Sequence, residues 1–165
     1  MSNPFWDFSL ALYADPEVQA ASLALQDRAG CDVNLVLYGL YQARNGRTLD
    51  VAAFAGLDAM IKPVRDLAVI PLRSIRREMK KHGFAADSDG FERLRTEVKT
   101  VELHAEKLMQ SLLASAQPAT GEAEPITAAR ANLAAYGRSL GRDLPAAEAN
   151  VLIVSLARMI SAVDS

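Results

Sequence analysis

Apolar residues recur at intervals of three and four through most of the chain, and in no long window do they alternate with polar ones. That spacing has the period of a helix rather than a strand. It predicts an all-α fold, a single-domain bundle of about seven to eight helices spanning residues 1–165. The first helix is expected from about Pro4 to Ala14, with Pro4 suited to a first helical turn. A second runs from Pro16 to about Ala29, with Asp15 as N-cap and Gly30 as terminator. The third begins after Asp32 and ends at Asn45-Gly46. It is apolar on nearly every side (Val33, Leu35, Val36, Leu37, Tyr38, Leu40, Tyr41), as befits a helix enclosed by others. Asp50 opens a short fourth helix ending near Ile61. A basic helix follows from Pro63 to about Lys81, with an apolar stripe and a kink or break expected at Pro71. His82-Gly83 ends it.

The longest predicted helix lies near 90–116, opened by Asp89. Phe91, Leu94, Val98, Val101, Ala105, Leu108 and Leu112 alternate spacings of three and four along it, a coiled-coil-like seam. The ordinary use of such a seam is packing against another helix of the same chain. A homodimer through Phe91, Leu94, Val98, Val101, Leu108 and Leu112 is the alternative. Gln117 to Pro125 reads as a flexible acidic loop. Two further helices are expected at about Ile126–Leu140 and Pro145–Val163. Six of the ten aromatics (Phe5, Trp6, Phe8, Tyr13, Tyr38, Tyr41) fall in the first 41 residues, so the first and third helices should touch.

Charge adds an asymmetry to this picture. Lys62 to Lys81 carries Lys62, Arg65, Arg73, Arg76, Arg77, Lys80 and Lys81 against Asp66 and Glu78, a balance of +5. The whole chain sums to −2, so the remainder is −7. Arg73 and Arg77, and likewise Arg76 and Lys80, are four apart and project from one side of a helix. Such arginines grip carboxylates or phosphates with forked hydrogen bonds. The long acidic helix offers Glu92, Glu97, Glu102 and Glu106 as partners within the chain, so the basic face is either free or paired there.

Most chemistry finds no support. His82 and His104 stand alone and no Glu-x-x-His pair occurs, so no metal site is predicted. Glu102 and Glu106 share a helix face, an arrangement usually solvated. Asp87-Ser88-Asp89-Gly90 has the middle of a calcium loop, but Ala85 and Thr96 occupy its two essential ligand positions. Cys31 lies at a helix start beside Asp32, whose charge opposes a thiolate, so a structural role is expected. No phosphate-cradling loop and no cofactor are predicted. Val51 to Val64 resembles the first half of a helix-turn-helix, but Lys62 stands where an apolar anchor belongs and Pro63 follows. With the acidic total, this disfavours nucleic acid as partner. A lone cysteine, no leader and no window of about 20 apolar residues point to a cytoplasmic protein without a membrane span.

Asn34 sits in the most apolar helix and needs a buried partner; Asp7, Tyr38 or Tyr41 could supply it. Trp6, Asp7, Asn34 and Tyr38 would suit a small-ligand pocket, although a satisfied core asparagine is the better explanation of Asn34.

The motif Asn3-Pro4-Phe5-Trp6-Asp7-Phe8-Ser9-Leu10, then Leu25-Gln26-Asp27 and Asp32-Val33-Asn34-Leu35, resembles an uncharacterised family of short proteobacterial proteins, one of the domain-of-unknown-function families. Pro71-Leu72-Arg73-Ser74-Ile75-Arg76-Arg77 and the run Val101-Glu102-Leu103 to Ala105-Glu106 are similar to the same family. The resemblance covers about the first 115 residues. It implies a bacterial, cytoplasmic, all-helical domain and lends no reaction or catalytic residue.

The expectation is therefore a non-catalytic interaction module that presents Arg73, Arg76, Arg77 and Lys80 to an acidic protein partner. The alternative is a small-molecule binder or enzyme with a pocket at Trp6, Asp7, Asn34 and Tyr38. A DNA-binding regulator ranks below both.

Overall fold

A computed structural model describes residues 3–82, 88–118 and 120–163. Helices dominate, at 83% of the structure. Helix α1 (Pro4–Tyr13) is capped by Asn3, whose side chain accepts the Phe5 N–H at 3.1 Å. Helix α2 (Pro16–Ala29) has Asp15 as N-cap and ends at Gly30, whose φ of 67° is the left-handed conformation that glycine adopts without strain. Helix α3 (Val33–Arg44) starts from Asp32 and buries nine of its twelve residues, as its all-round apolar sequence predicts.

The next stretch departs from expectation. Helix α4 (Val51–Val64) does not end near Ile61. It runs through a π-helical segment, Arg65–Val69, into α5 (Ile70–Lys81), giving a single helix of 31 residues. No turn interrupts Val51 to Val64, so the helix-turn-helix geometry is absent. The lack of a break at Pro71 has a local reason. In an α-helix the proline ring would crowd the carbonyl four residues back and leave that group unbonded. Here the preceding turn widens, and the Ile70 N–H reaches back five residues to the Arg65 carbonyl.

Helix α6 (Ser88–Ser115) returns antiparallel alongside α5. Gly83 and residues 84–87, with Asp87 of the calcium-like turn, lie outside the described residues, while Ser88, Asp89 and Gly90 of that turn open α6. The stretch read as a loop carries a strand: β2 (Thr120–Glu122) pairs antiparallel with β1 (Arg47–Leu49), Thr48 opposite Gly121. Backbone pairing fixes it despite its exposed side chains. Helices α7 (Pro125–Ser139) and α8 (Ala146–Val163) complete the fold.

One contiguous core runs from Phe5 to Leu156. The aromatic end forms as predicted: Phe5 meets Tyr38 edge-on with ring centroids 5.3 Å apart, and Phe8 lies 5.5 Å from Tyr41. Helix α7 packs most closely on α3, where Gly39 lets Phe54 and Asn132 approach. Asn132 is fully buried and satisfied. It accepts the Leu49 N–H at 2.7 Å and donates to the Gly39 and Arg47 carbonyls, joining α7 to α3 and β1.

Helix α8 is long and apolar enough to cross a membrane by length and composition, with a mean hydropathy of 1.5 over 18 residues. The expectation that no stretch would reach that level is corrected here. Leu152, Ile153 and Leu156 are nevertheless turned inward, and α8 lies against α2, where Ser155 Oγ donates to Asp15.

Candidate functional site

The basic helix divides into an inner and an outer set of cations. Arg73 Nε donates to Glu102 Oε1 at 3.1 Å, its Nη2 to Glu106 Oε1 at 2.8 Å, and its Nη1 to Gln26 Oε1 at 3.1 Å. Arg76 grips both oxygens of Glu102, with Nε 2.5 Å from Oε2 and Nη2 3.2 Å from Oε1. One buried carboxylate thus holds two arginines from the facing helix. Sequence spacing puts Arg73 and Arg76 three apart on α5, and Glu102 and Glu106 four apart on α6, so the pairs meet where the helices run side by side.

These glutamates are not solvated, as i,i+4 pairs usually are. Burial pushes the Glu102 carboxyl up, but hydrogen bonds from Arg76 and Arg73 outweigh it and hold the group below the ordinary glutamate value. At Glu106 burial wins: its carboxyl is raised despite the nearby charge of Arg73. Of the other glutamates on α6, Glu92 pairs with Arg95 within its own helix.

A second ionic group lies one turn before α5 and has no counterpart among the predicted site residues. Arg65 Nη1 sits 2.5 Å from Asp58 Oδ1 and 3.4 Å from Asp32 Oδ2. Burial opposes its charge, but the Asp58 hydrogen bond and both aspartate charges prevail and raise the guanidinium pKa. Arg65 also contacts Asp66, which binds Lys62. The available signal was Asp58, seven residues or two helical turns before Arg65. It is informative only once α4 is known to continue past Pro63.

Lys81 pairs with Glu78. Arg77 and Lys80 are exposed and make no ion pair among the described residues. Farther back along the same helix, Leu67 is 82% exposed and Ile70 about half exposed, with Ile75 about half exposed between them and the cations in sequence. Helix α5 has no buried residue, and those of α6 begin only at Glu102. The outer part of the α5–α6 hairpin therefore stands away from the core.

The four aromatic-end candidates do not share one environment. Tyr38 is buried in the core against Phe5. Asn34 is buried too, and its partner is none of the three anticipated: Gln110 of α6 donates to Asn34 Oδ1 at 2.9 Å. Trp6 is half-buried under Lys107, whose Nζ stands 4.9 Å from the ring centroid, and Asp7 is exposed. An open depression of about 500 Å³ beside the β-ribbon is lined by Thr48, Asp50, Thr120 and Arg138 among others, and by none of these four.

Cys31 is buried, and burial pushes its thiol up to about 11, which leaves it a thiol at neutral pH. Among the described residues no three His, Cys, Asp or Glu side chains are grouped so as to hold a metal ion.

The model of the family described as "Protein of unknown function (DUF2390)" matches residues 4–113, two-thirds of the chain. The chain belongs to the DUF2390 family. The match takes in α1 through nearly all of α6, including both ionic groups. Helices α7 and α8 lie beyond it, although they share one core with the rest. No curated protein and no solved structure matches the chain.

Proposed function

We propose that this DUF2390 protein is a non-catalytic interaction module whose α5–α6 hairpin presents a basic and apolar outer face to an acidic protein partner. The observation that carries the reading is the division of the basic helix. Arg73 and Arg76 fasten α5 to α6, while Arg77 and Lys80 remain exposed without an ion pair among the described residues.

The partner surface is therefore narrower than the sequence suggests. Arg77 and Lys80 supply its charge, and Leu67 and Ile70 its apolar contact. Exposed apolar side chains about one to four helical turns from the free cations suit an extended amphipathic segment carrying carboxylates better than a phosphate backbone, which needs no apolar contact.

The test is affinity capture from a nuclease-treated native bacterial extract with three full-length chains: natural, Arg77→Glu/Lys80→Glu, and Arg77→Lys/Lys80→Arg. One protein retained in stoichiometric amount by the natural and charge-conserving chains, and lost with the charge-reversed chain, is the expected outcome. Equal retention by all three, or no such protein with any, refutes the reading.

A further inference from the structure

The seam on α6 is split lengthwise. Phe91, Val98, Ala105 and Leu112 are half-buried, whereas Leu94, Val101 and Leu108 are each 51% exposed. These three lie seven residues apart, so they form one straight apolar row along about 20 Å of helix. Isolated exposed leucines are ordinary, but a heptad row on one helix is the pattern that packs against a second helix.

We propose that this row binds a second copy of the chain, with the two α6 helices antiparallel and a two-fold axis passing beside Val101. The row reads Leu–Val–Leu in either direction, so the axis sets Val101 against Val101 and Leu94 against Leu108 of the second copy. A two-fold interface must be self-complementary in this way.

Charge supports the same register. The residues on the open flank of the row are Glu97 and His104, both exposed and neither in an ion pair among the described residues. In an antiparallel pair each flank meets its own counterpart, and the axis at Val101 brings Glu97 of one copy opposite His104 of the other. The carboxylate accepts from the imidazole twice in each dimer. In a parallel pair each flank would instead meet the opposite flank of the second copy, so Glu97 and His104 would not face one another. The opposite flank of α6 is already occupied by α5, so the open side is the one available. This surface is separate from Arg77 and Lys80, and the inference stands independently of the proposed function.

Sedimentation equilibrium of the full chain across the micromolar range tests it. The expected mass is twice the 17.8 kDa of one chain. Val101→Glu, at an exposed position, is expected to leave the helical circular dichroism unchanged and give the single-chain mass throughout. Should that variant fail to fold, the charge variants decide. His104→Glu weakens the dimer about tenfold, and Glu97→Lys/His104→Glu restores it. A single-chain mass for the natural protein, an undiminished dimer in folded Val101→Glu, or no restoration in the double variant overturns the proposal.

Discussion

Glu102 concentrates the electrostatics of the fold in one side chain. Its carboxylate is buried, yet it is held below the ordinary glutamate pKa because two guanidinium groups converge on it. Removing that charge leaves Arg73 and Arg76 without their shared counter-ion. Breaking a fully buried pair costs about 3–5 kcal/mol, and the roughly quarter exposure of both arginines reduces this, so Glu102→Gln is expected to cost about 2 kcal/mol at neutral pH. A carboxyl depressed in the folded state contributes stability above its ordinary value of 4.5 and loses it as pH falls through the folded value. The gap between natural chain and variant in urea unfolding should therefore close in acid. A gap independent of pH would remove the ion pair from the explanation. Glu106, whose carboxyl is raised, contributes with the opposite sign. The residue scale was partly legible: spacing nominated Arg73, Arg76, Glu102 and Glu106, but only the packing of α5 on α6 told paired cations from free ones. Asn34 shows the limit, since its partner Gln110 is 76 residues away and no local pattern points to it.

Helix bounds are legible in the sequence where periodicity and caps agree, as at Asp15, Gly30, Asp32 and Asp50. Local rules mislead where the fold meets them with a nonlocal solution. Pro63 and Pro71 each argue for an interruption, yet the helix passes both, and a widened turn before Pro71 absorbs the missing hydrogen bond. The β2 strand was hidden for a related reason: its side chains are exposed, so only its pairing with β1 reveals it. The same accounting of contacts separates the elements in stability. Helix α5 buries no residue and the first half of α6 none, whereas α3 buries nine. Hydrogen exchange measured by mass spectrometry should show amides of α5 exchanging faster than those of α3 and α7. Protection as strong in α5 as in α3 would mean that the hairpin is covered by something, a second copy included.

Across the whole molecule, the DUF2390 match ends near the close of α6, but the core does not. Tyr136 of α7 accepts the Asp32 N–H at 2.8 Å, and Leu133, Leu152 and Leu156 are buried with residues of α2 and α3. Ion pairs at Glu102 and Glu106 fasten α5 to α6 within the hairpin, and the hairpin joins the core through the buried Met109 and Leu113 of α6, the Gln110–Asn34 hydrogen bond and the contact of Arg73 with Gln26 of α2. Its outer cations have no such duty, and this division between fastening and display is the central claim. Chemical unfolding of Arg73→Glu/Arg76→Glu beside Arg77→Glu/Lys80→Glu tests it most directly. The inner pair should lose about 3 kcal/mol or fail to fold, since it sets like charges against Glu102, while the outer pair stays within about 0.5 kcal/mol of the natural chain. Equal losses, or a larger loss from the outer pair, would contradict the account.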